Sequence, residues 1–209
     1  MTATQRGDMT ADDRTDVMWT IGHWNCPESV FVAALEVPDI QVVVDVRSVP
    51  GSRRSPQFGT EAMQGWLTTA GIGYVHMSEL GGRRRKQRDV DPLANAGWEN
   101  ESFKNYADYT LTPGYEEGIE RLMGLAREQR VAIMCGEPMP WRCHRSLIAN
   151  TLTARGWTVW HLSATAKPRL HELGRWGAAP QVSDDGVVTY PPPEPKSFSS
   201  DSEAILKRF

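Results

Sequence analysis

Short apolar runs alternate with helix-like segments along the sequence, and this alternation constrains the fold more than any other feature. Runs without polar alternation are typical of parallel strands buried on both faces. The chain therefore predicts an α/β fold, a Rossmann-like or rhodanese-like three-layer domain with a mostly parallel sheet of about five strands. The predicted strands lie in VMWTIGHW (17–24), IQVVVDV (40–46), IGYVHM (72–77), VAIMC (131–135) and WTVWHL (157–162).

Helix signals separate these runs. Proline in a first helical turn and glycine after a last turn mark helix ends, and they accompany apolar residues at helical spacing. The predicted helices cover 27–37, 60–70, 112–126 and 143–155. Residues 78–111 are basic and aromatic, and a segment of this length predicts a lid, a binding loop or a disordered stretch.

The chain of 209 residues is predicted to hold one domain with two extensions. Residues 1–16 are polar and acidic and are predicted to be a disordered leader. Residues 17–167 form the α/β domain. Residues 168–209 are a polar, Pro-rich extension, in which GVVTY (186–190) is expected to add an edge strand or hairpin.

Targeting signals and cysteine content indicate where the protein works. The chain shows no secretory signal and no apolar run long enough to span a bilayer, so we expect no membrane association. It has only three cysteines, which favours a reducing cytoplasm with free thiols.

Polar residues follow the last apolar residue of every predicted strand. In a parallel sheet these ends meet at one edge, where ligands bind. We therefore expect one site built from strand ends: His23, Asp45, Arg47, His76, Cys135, Glu137 and His161.

The stretch CGEPMPWRCHRS (135–146) leaves a strand and enters a helix. A helix start offers unpaired N–H groups and a partial positive charge, which together attract anions. Arginine adds two-point recognition of phosphate or carboxylate. The predicted anion-binding residues are Arg47, Ser52, Arg53, Arg142, Arg145 and Ser146.

Glu137 is the favoured acid–base residue because it lies at the tip of the fourth strand, with His23 or His144 assisting. Asp45 is a second candidate, although it can equally orient Arg47 through an ion pair. Cys143 is a candidate nucleophile, since the helix start and neighbouring cations are expected to lower its thiol pKa.

Metal binding is not predicted. A tetrahedral zinc site needs four ligands at suitable spacing. The spacing of Cys135, Cys143 and His144 is not a standard one, and adjacent Cys143 and His144 are expected to point apart. No cofactor is expected.

The segment 46–88 carries eight basic residues against two acidic ones, which favours an anionic partner. Aromatic residues follow GGRRRKQR, and aromatic faces beside cations suit stacked bases. The predicted nucleic-acid-binding residues are Arg83, Arg84, Arg85 and Tyr106. A solvated basic loop and a lid packed on the domain remain alternatives.

Five motifs in order resemble the domain of unknown function 488 family: TIGHWN (20–25), DVRSVPGSRRSPQF (45–58), LGG (80–82), FKNYADY (103–109) and CGEPMPWRCHRSLIA (135–149). The resemblance covers roughly residues 18 to 162. It implies no reaction. It places at motif positions His23, Asn25, Asp45, Arg47, Ser52, Glu137, Cys143, His144 and Arg145.

Three functions follow as hypotheses. The leading one is an enzyme that binds an anionic, phosphate-bearing substrate and catalyses hydrolysis or group transfer, with N-glycosidic cleavage as one version. The first alternative is a thiol enzyme that uses Cys143. The second is a non-catalytic module that binds nucleic acid. The partner is an anionic small molecule or a nucleic acid, and the sequence indicates no oligomeric state.

Overall fold

A computed structural model of the chain describes residues 16–51 and 55–194. Six strands form one sheet: β1 (Val17–Gly22), β2 (Val42–Asp45), β3 (Gly73–His76), β4 (Val131–Cys135), β5 (Thr158–His161) and β6 (Arg169–Leu170). Their spatial order is β3-β2-β4-β1-β5-β6. The first five are parallel and β6 is antiparallel to β5. The predicted α/β class with a mostly parallel sheet is confirmed.

Five helices cover the two faces of this sheet: α1 (Glu28–Glu36), α2 (Thr60–Thr69), α3 (Glu101–Tyr109), α4 (Pro113–Glu128) and α5 (Arg145–Ala154). Helices α1 and α2 bury Phe31 and Leu67 against one face, while α3, α4 and α5 bury residues such as Leu122 against the other. Successive β2 residues divide between the two cores, because side chains alternate along a strand. The result is the expected three-layer arrangement.

The segment 78–111, predicted as a lid, a binding loop or a disordered stretch, is packed on the domain. It contains a 3₁₀ turn at Ser78–Leu80 and helix α3. The hydroxyls of Tyr106 and Tyr109 donate to the carbonyls of Leu80 and Glu79. These bonds fix α3 against the turn, and part of the segment therefore forms a wall of the pocket described below.

The C-terminal segment contributes to the core. β7 (Gln181–Val182) pairs with β8 (Val188–Thr189), which confirms the predicted hairpin. Tyr190 is 1% exposed and packs with the α3–α5 core. Residues 168–190 therefore complete the fold. Residues 1–15 of the predicted leader 1–16 and residues 195–209 lie outside the described residues.

Among the helices that the structure describes, none has both the length and the apolar character needed to cross a bilayer.

Candidate active site at the carboxyl ends of the strands

A pocket of about 620 Å³ opens at the carboxyl ends of β1, β2 and β4. The neighbouring strands β1 and β4 send the chain in opposite directions. After β1 the chain forms α1 on one face of the sheet and continues to β2. After β4 it forms α5 on the other face and continues to β5. Such a switch point opens a crevice where α/β proteins bind ligands. The volume suits a nucleotide-sized molecule.

The charges on the pocket wall are unequal. The described lining residues that bear titratable or charged groups are His23, Arg47, Arg83, Tyr106, Cys135, Glu137, Arg142, Cys143 and His144. Three arginines thus face a single carboxylate, that of Glu137. Ser52 and Arg53 lie outside the described residues.

Asp45 and Arg47 form a closed ion pair. The guanidinium donates from Nε and Nη2, at 2.9 and 2.6 Å, to the two carboxylate oxygens, and the Tyr74 hydroxyl donates to Oδ2 at 2.7 Å. Burial alone would lower the pKa of Arg47, but its bonds to Asp45 raise it. Asp45 is fully buried and is not among the residues lining the pocket, so the structure places it as the partner that orients Arg47.

His23 is a neutral imidazole. Burial, supported by the charge of Arg47, lowers its pKa to about 4 although a hydrogen bond to Trp24 opposes the shift. Nδ1 donates to the Trp24 carbonyl, so Nε2 carries the lone pair and accepts from Arg47 Nη1 at 3.2 Å. The ring also stacks on Phe58 at 4.1 Å. His23 therefore holds Arg47 at the pocket wall.

Arg145 lies behind the pocket, 1% exposed. It donates from Nη1 to Thr20 Oγ1 at 3.2 Å, from Nη2 to the Glu137 carbonyl and from Nε to Cys143 Sγ at 3.4 Å. Among the described residues no carboxylate pairs with it. Since a buried cation is costly without an anion, the sulfur of Cys143 is its natural counter-charge.

The thiol of Cys143 is poised to ionise. Burial raises its pKa, but a hydrogen bond from the Cys135 thiol, the neighbouring His144 ring and the charge of Arg145 outweigh burial and hold it well below its usual range. That same hydrogen bond to Cys143, with burial, keeps the pKa of Cys135 well above its usual range. The two thiol pKa values are therefore shifted in opposite directions, and Cys143 is the thiol of the pair that ionises more readily.

His144 faces both sulfurs. Its Nδ1 lies 3.5 Å from Cys143 Sγ, and its donor atoms and those of Cys135 and Cys143 lie within 4.8 Å of one another. The prediction that Cys143 and His144 point apart is wrong. Cys143 is extended (φ −133°, ψ 145°) whereas His144 is already helical (φ −55°, ψ −17°), and this change of backbone direction brings the two side chains together.

The start of α5 is less open to an anion than the sequence predicts. The amides of Ser146 and Leu147 donate to the carbonyls of Cys143 and His144, and the Ser146 hydroxyl also donates to the Cys143 carbonyl. Ser146 and Arg145 are buried and are not among the described lining residues. Of the predicted anion-binding arginines, Arg142 is exposed and lines the pocket.

The predicted nucleic-acid-binding residues separate in space. Arg83 is exposed and lines the pocket. Arg84 folds back onto the carbonyls of Ser78, Glu79 and Gly81 and lies over the Tyr109 ring at 3.7 Å. Arg85 is exposed outside the pocket. Tyr106 is 1% exposed and packs against His144 with 5.0 Å between the ring centroids, so its buried ring is not free to stack on a base.

A buried hydrogen-bond chain supports Arg145 from behind. Thr20 Oγ1 bonds His161 Nδ1 at 2.7 Å, and His161 Nε2 bonds His171 Nδ1 at 3.0 Å. His171 Nε2 then meets Asn150 Oδ1, and Asn150 Nδ2 donates to the Tyr190 hydroxyl. In this chain one nitrogen of each histidine ring donates a hydrogen bond and the other accepts one, which requires both histidines to be neutral. Burial lowers the pKa of His161 to about 3 and that of His171 to about 4.

Sequence reasoning missed several of these supporting residues. Thr20 lies inside an apolar run, and Tyr74 was counted only as part of a strand. His171 lies in a segment without strand or helix signals. Alternation along β1 was the one available signal, since it places Thr20 on the face opposite Ile21.

The sequence profile described as Domain of unknown function DUF488 matches residues 28–152. The chain belongs to this family. The DUF488 match contains the two strand ends that supply Asp45 and Cys135 and the loop that supplies Cys143, while TIGHWN on β1 lies before it. No curated protein and no solved structure gives a significant match.

Proposed function

We propose that this DUF488 protein is an enzyme that binds a phosphate-bearing small molecule in the pocket and catalyses its hydrolysis or a related group transfer. The observation that carries the proposal is the pocket wall, where three arginines and one carboxylate meet neutral His23 at the carboxyl ends of β1, β2 and β4. A cationic wall attracts an anion, and Glu137 is the carboxylate on that wall that a reacting group could reach with its proton.

Arg83 and Arg142 are the groups proposed to hold the anion. Both are exposed and line the pocket, and neither has a carboxylate within ion-pair distance among the described residues. The charge of Arg47 is already matched by Asp45. Arg47 would therefore contribute a hydrogen-bond donor held in place, while Arg83 and Arg142 contribute net charge.

Glu137 is the proposed general base. One carboxylate oxygen accepts from the Met139 amide at 3.1 Å, which fixes the side chain at the loop and leaves the other oxygen for a reacting group. In hydrolysis, water adds to the electrophilic centre as its proton passes to Glu137. The leaving group then departs and takes that proton back.

Turnover of a panel of nucleotides, sugar phosphates and short oligonucleotides tests the proposal. Glu137→Gln is expected to lower kcat about 100-fold or more, and Arg142→Ala to raise KM about tenfold with a smaller change in kcat. Arg85→Ala is the matched control, an exposed arginine outside the pocket. Salt-dependent oligonucleotide binding without any product would instead support the non-catalytic module.

A second candidate, a thiol enzyme using Cys143, is favoured by one observation: the buried Arg145 has a sulfur where a carboxylate is expected. A thiolate held beside His144 is the arrangement of an activated nucleophile. Trapping of a covalent substrate adduct separates the two candidates. The thiol enzyme forms an adduct at Cys143 in the wild type and none in Cys143→Ser, whereas the Glu137 enzyme forms none in either protein. Cys26→Ser is the control, since Cys26 lies outside the pocket lining.

A further inference from the structure

Three side chains of types that bind metal ions lie close together on one wall of the pocket. Cys135 ends β4, Cys143 precedes α5 and His144 opens that helix. Their donor atoms, two sulfurs and Nδ1, lie within 4.8 Å of one another, and all three residues line the pocket. The cluster is thus held by two different elements of the fold and is open on one side.

The orientation of His144 leaves one nitrogen free for a ligand. Nε2 lies 3.0 Å from the Val46 carbonyl, which can only accept, so Nε2 carries the hydrogen. Nδ1 then holds its lone pair toward the sulfurs. A metal-bound histidine characteristically donates its other N–H to a carbonyl or carboxylate in this way.

Gly82 makes this orientation sterically specific. A Cβ at residue 82 would lie 2.4 Å from His144 Nδ1 and 2.7 Å from Cγ. Only a glycine lets the chain approach the ring so closely. Tyr106 closes the ring from another direction at 5.0 Å. The imidazole is therefore held with Nδ1 beside the two sulfurs.

The spacing fits a tetrahedral ion. Zn–S bonds of about 2.3 Å and Zn–N bonds of about 2.05 Å at tetrahedral angles separate sulfur from nitrogen by about 3.6 Å and the two sulfurs by about 3.8 Å. The distance from Cys143 Sγ to His144 Nδ1 is 3.5 Å. The sulfur of the half-buried Cys135 lies within 4.8 Å of both of these atoms, so the third ligand needs to move by only about 1 Å to reach the tetrahedral spacing.

We propose that Cys135, Cys143 and His144 bind a zinc ion whose fourth position faces the pocket. Two thiolates and one imidazole select zinc over magnesium, calcium or manganese. Three protein ligands with one open position are the arrangement of catalytic rather than structural zinc. Each thiol that becomes a ligand gives up its proton to solvent.

Arg145 and Glu137 lie close to the proposed zinc ligands. The Arg145 Nε hydrogen bond to Cys143 Sγ is an outer contact that steadies a ligand. Glu137 lies on the same loop and lines the same pocket. A water in the fourth position would be acidified by the ion, and Glu137 is the nearby group to take its proton, as the proposed hydrolysis requires.

Cobalt substitution tests the site without any substrate. Reduced, metal-free protein is titrated with Co²⁺, and the thiolate-to-cobalt charge-transfer band and the tetrahedral d–d bands are recorded. We expect one equivalent to bind with both bands and to be displaced by Zn²⁺. Cys135→Ser and Cys143→Ser are each expected to weaken the charge-transfer band and lower the Co²⁺ affinity at least tenfold, and His144→Gln to lower the affinity similarly.

Cys26→Ser is the matched control and should bind as the wild type does, because its sulfur lies outside the cluster. Thermal unfolding of each variant shows whether it is folded. Binding without a charge-transfer band, or a band that survives both Cys135→Ser and Cys143→Ser, would overturn the proposal. The test is separate from the proposed function, because Arg142→Ala and Glu137→Gln should keep the cobalt spectrum whether or not they turn over substrate.

Discussion

Among the described residues, two buried arginines each lie two positions after the residue that binds them, and the two partners differ. Arg47 is bound by the carboxylate of Asp45, and Arg145 by the sulfur of Cys143. The first pair is saturated, because Asp45 also accepts from the Tyr74 hydroxyl and the Arg47 amide. The second has a partner that can be protonated, alkylated or bound to a metal. Similar geometry thus gives one arginine a partner with no free capacity and the other a partner whose protonation can change.

The largest expected effect is on the saturated pair. Asp45→Asn leaves Arg47 buried without an anion, and we expect the free energy of unfolding to fall by about 3–5 kcal/mol in urea denaturation. The same substitution in the exposed Asp39–Arg130 pair should cost less than about 1 kcal/mol. Equal losses at the two sites would contradict the contrast between a buried and an exposed pair.

Loss of the cation from the Cys143–Arg145 pair, here called the sulfur pair, should have a different effect on folding stability. Arg145→Met is expected to cost about 1–3 kcal/mol, because Thr20 and the Glu137 carbonyl lose a partner while Cys143 can take up a proton. The midpoint of the thiolate ultraviolet absorbance should move to higher pH. Arg155→Met, at the residue that follows the same helix, is the control and should leave that midpoint in place. An unchanged midpoint in Arg145→Met would show that Arg145 does not stabilise the thiolate.

The hydrogen-bond chain behind the sulfur pair, which contains His161 and His171, predicts that folding stability depends on pH. The pKa values of His161 and His171, about 3 and about 4, lie below the unfolded value of about 6.5. The unfolded chain therefore binds more protons as the pH falls through 6.5, and folding stability decreases from there toward pH 4. Each histidine contributes a slope of about 1.4 kcal/mol per pH unit.

Chemical denaturation at a series of pH values between 7 and 4.5 measures this slope. His171→Gln should reduce it by about a third, since His23 and His161 have similarly lowered pKa values and remain. A slope unchanged by this substitution would place the responsible groups elsewhere.

The smallest expected effect concerns the Tyr74 hydrogen bond to the Asp45–Arg47 pair. Tyr74→Phe removes a single hydrogen bond of 2.7 Å to Asp45 and should cost about 1 kcal/mol, because the Arg47 contacts remain. Urea denaturation against wild type measures it. A loss as large as that of Asp45→Asn would mean that Tyr74, rather than Arg47, dominates the stability of this carboxylate.

Much of the fold was predictable because the signals are local. The β-branched run at 40–46 and the apolar run at 131–135 became β2 and β4, with ends displaced by at most two residues. Strand β6 was missed, since Arg169 and Leu170 carry no strand pattern and pair only because β5 offers an edge.

The candidate site was predictable only in part. The strand-end rule brought His23, Cys135 and Glu137 to the same pocket. It did not distinguish arginines that face the pocket from those buried behind it, because burial of Arg145 depends on Thr20, which is distant in sequence. The approach of His144 to Cys143 depends on one change of backbone angle, which residue types alone do not report.

The position of β1 in the sheet shows which part of the fold lies outside the matched region. β1 lies between β4 and β5, and the matched region begins after it and ends before β5. A polypeptide limited to residues 28–152 would leave β4 as an open edge and would remove both Thr20 and Gly22, whose missing side chain gives room to the Glu137 carbonyl and Arg145. In this chain the matched region is thus completed by β1, which covers one edge of β4 and supplies Thr20 to the buried Arg145.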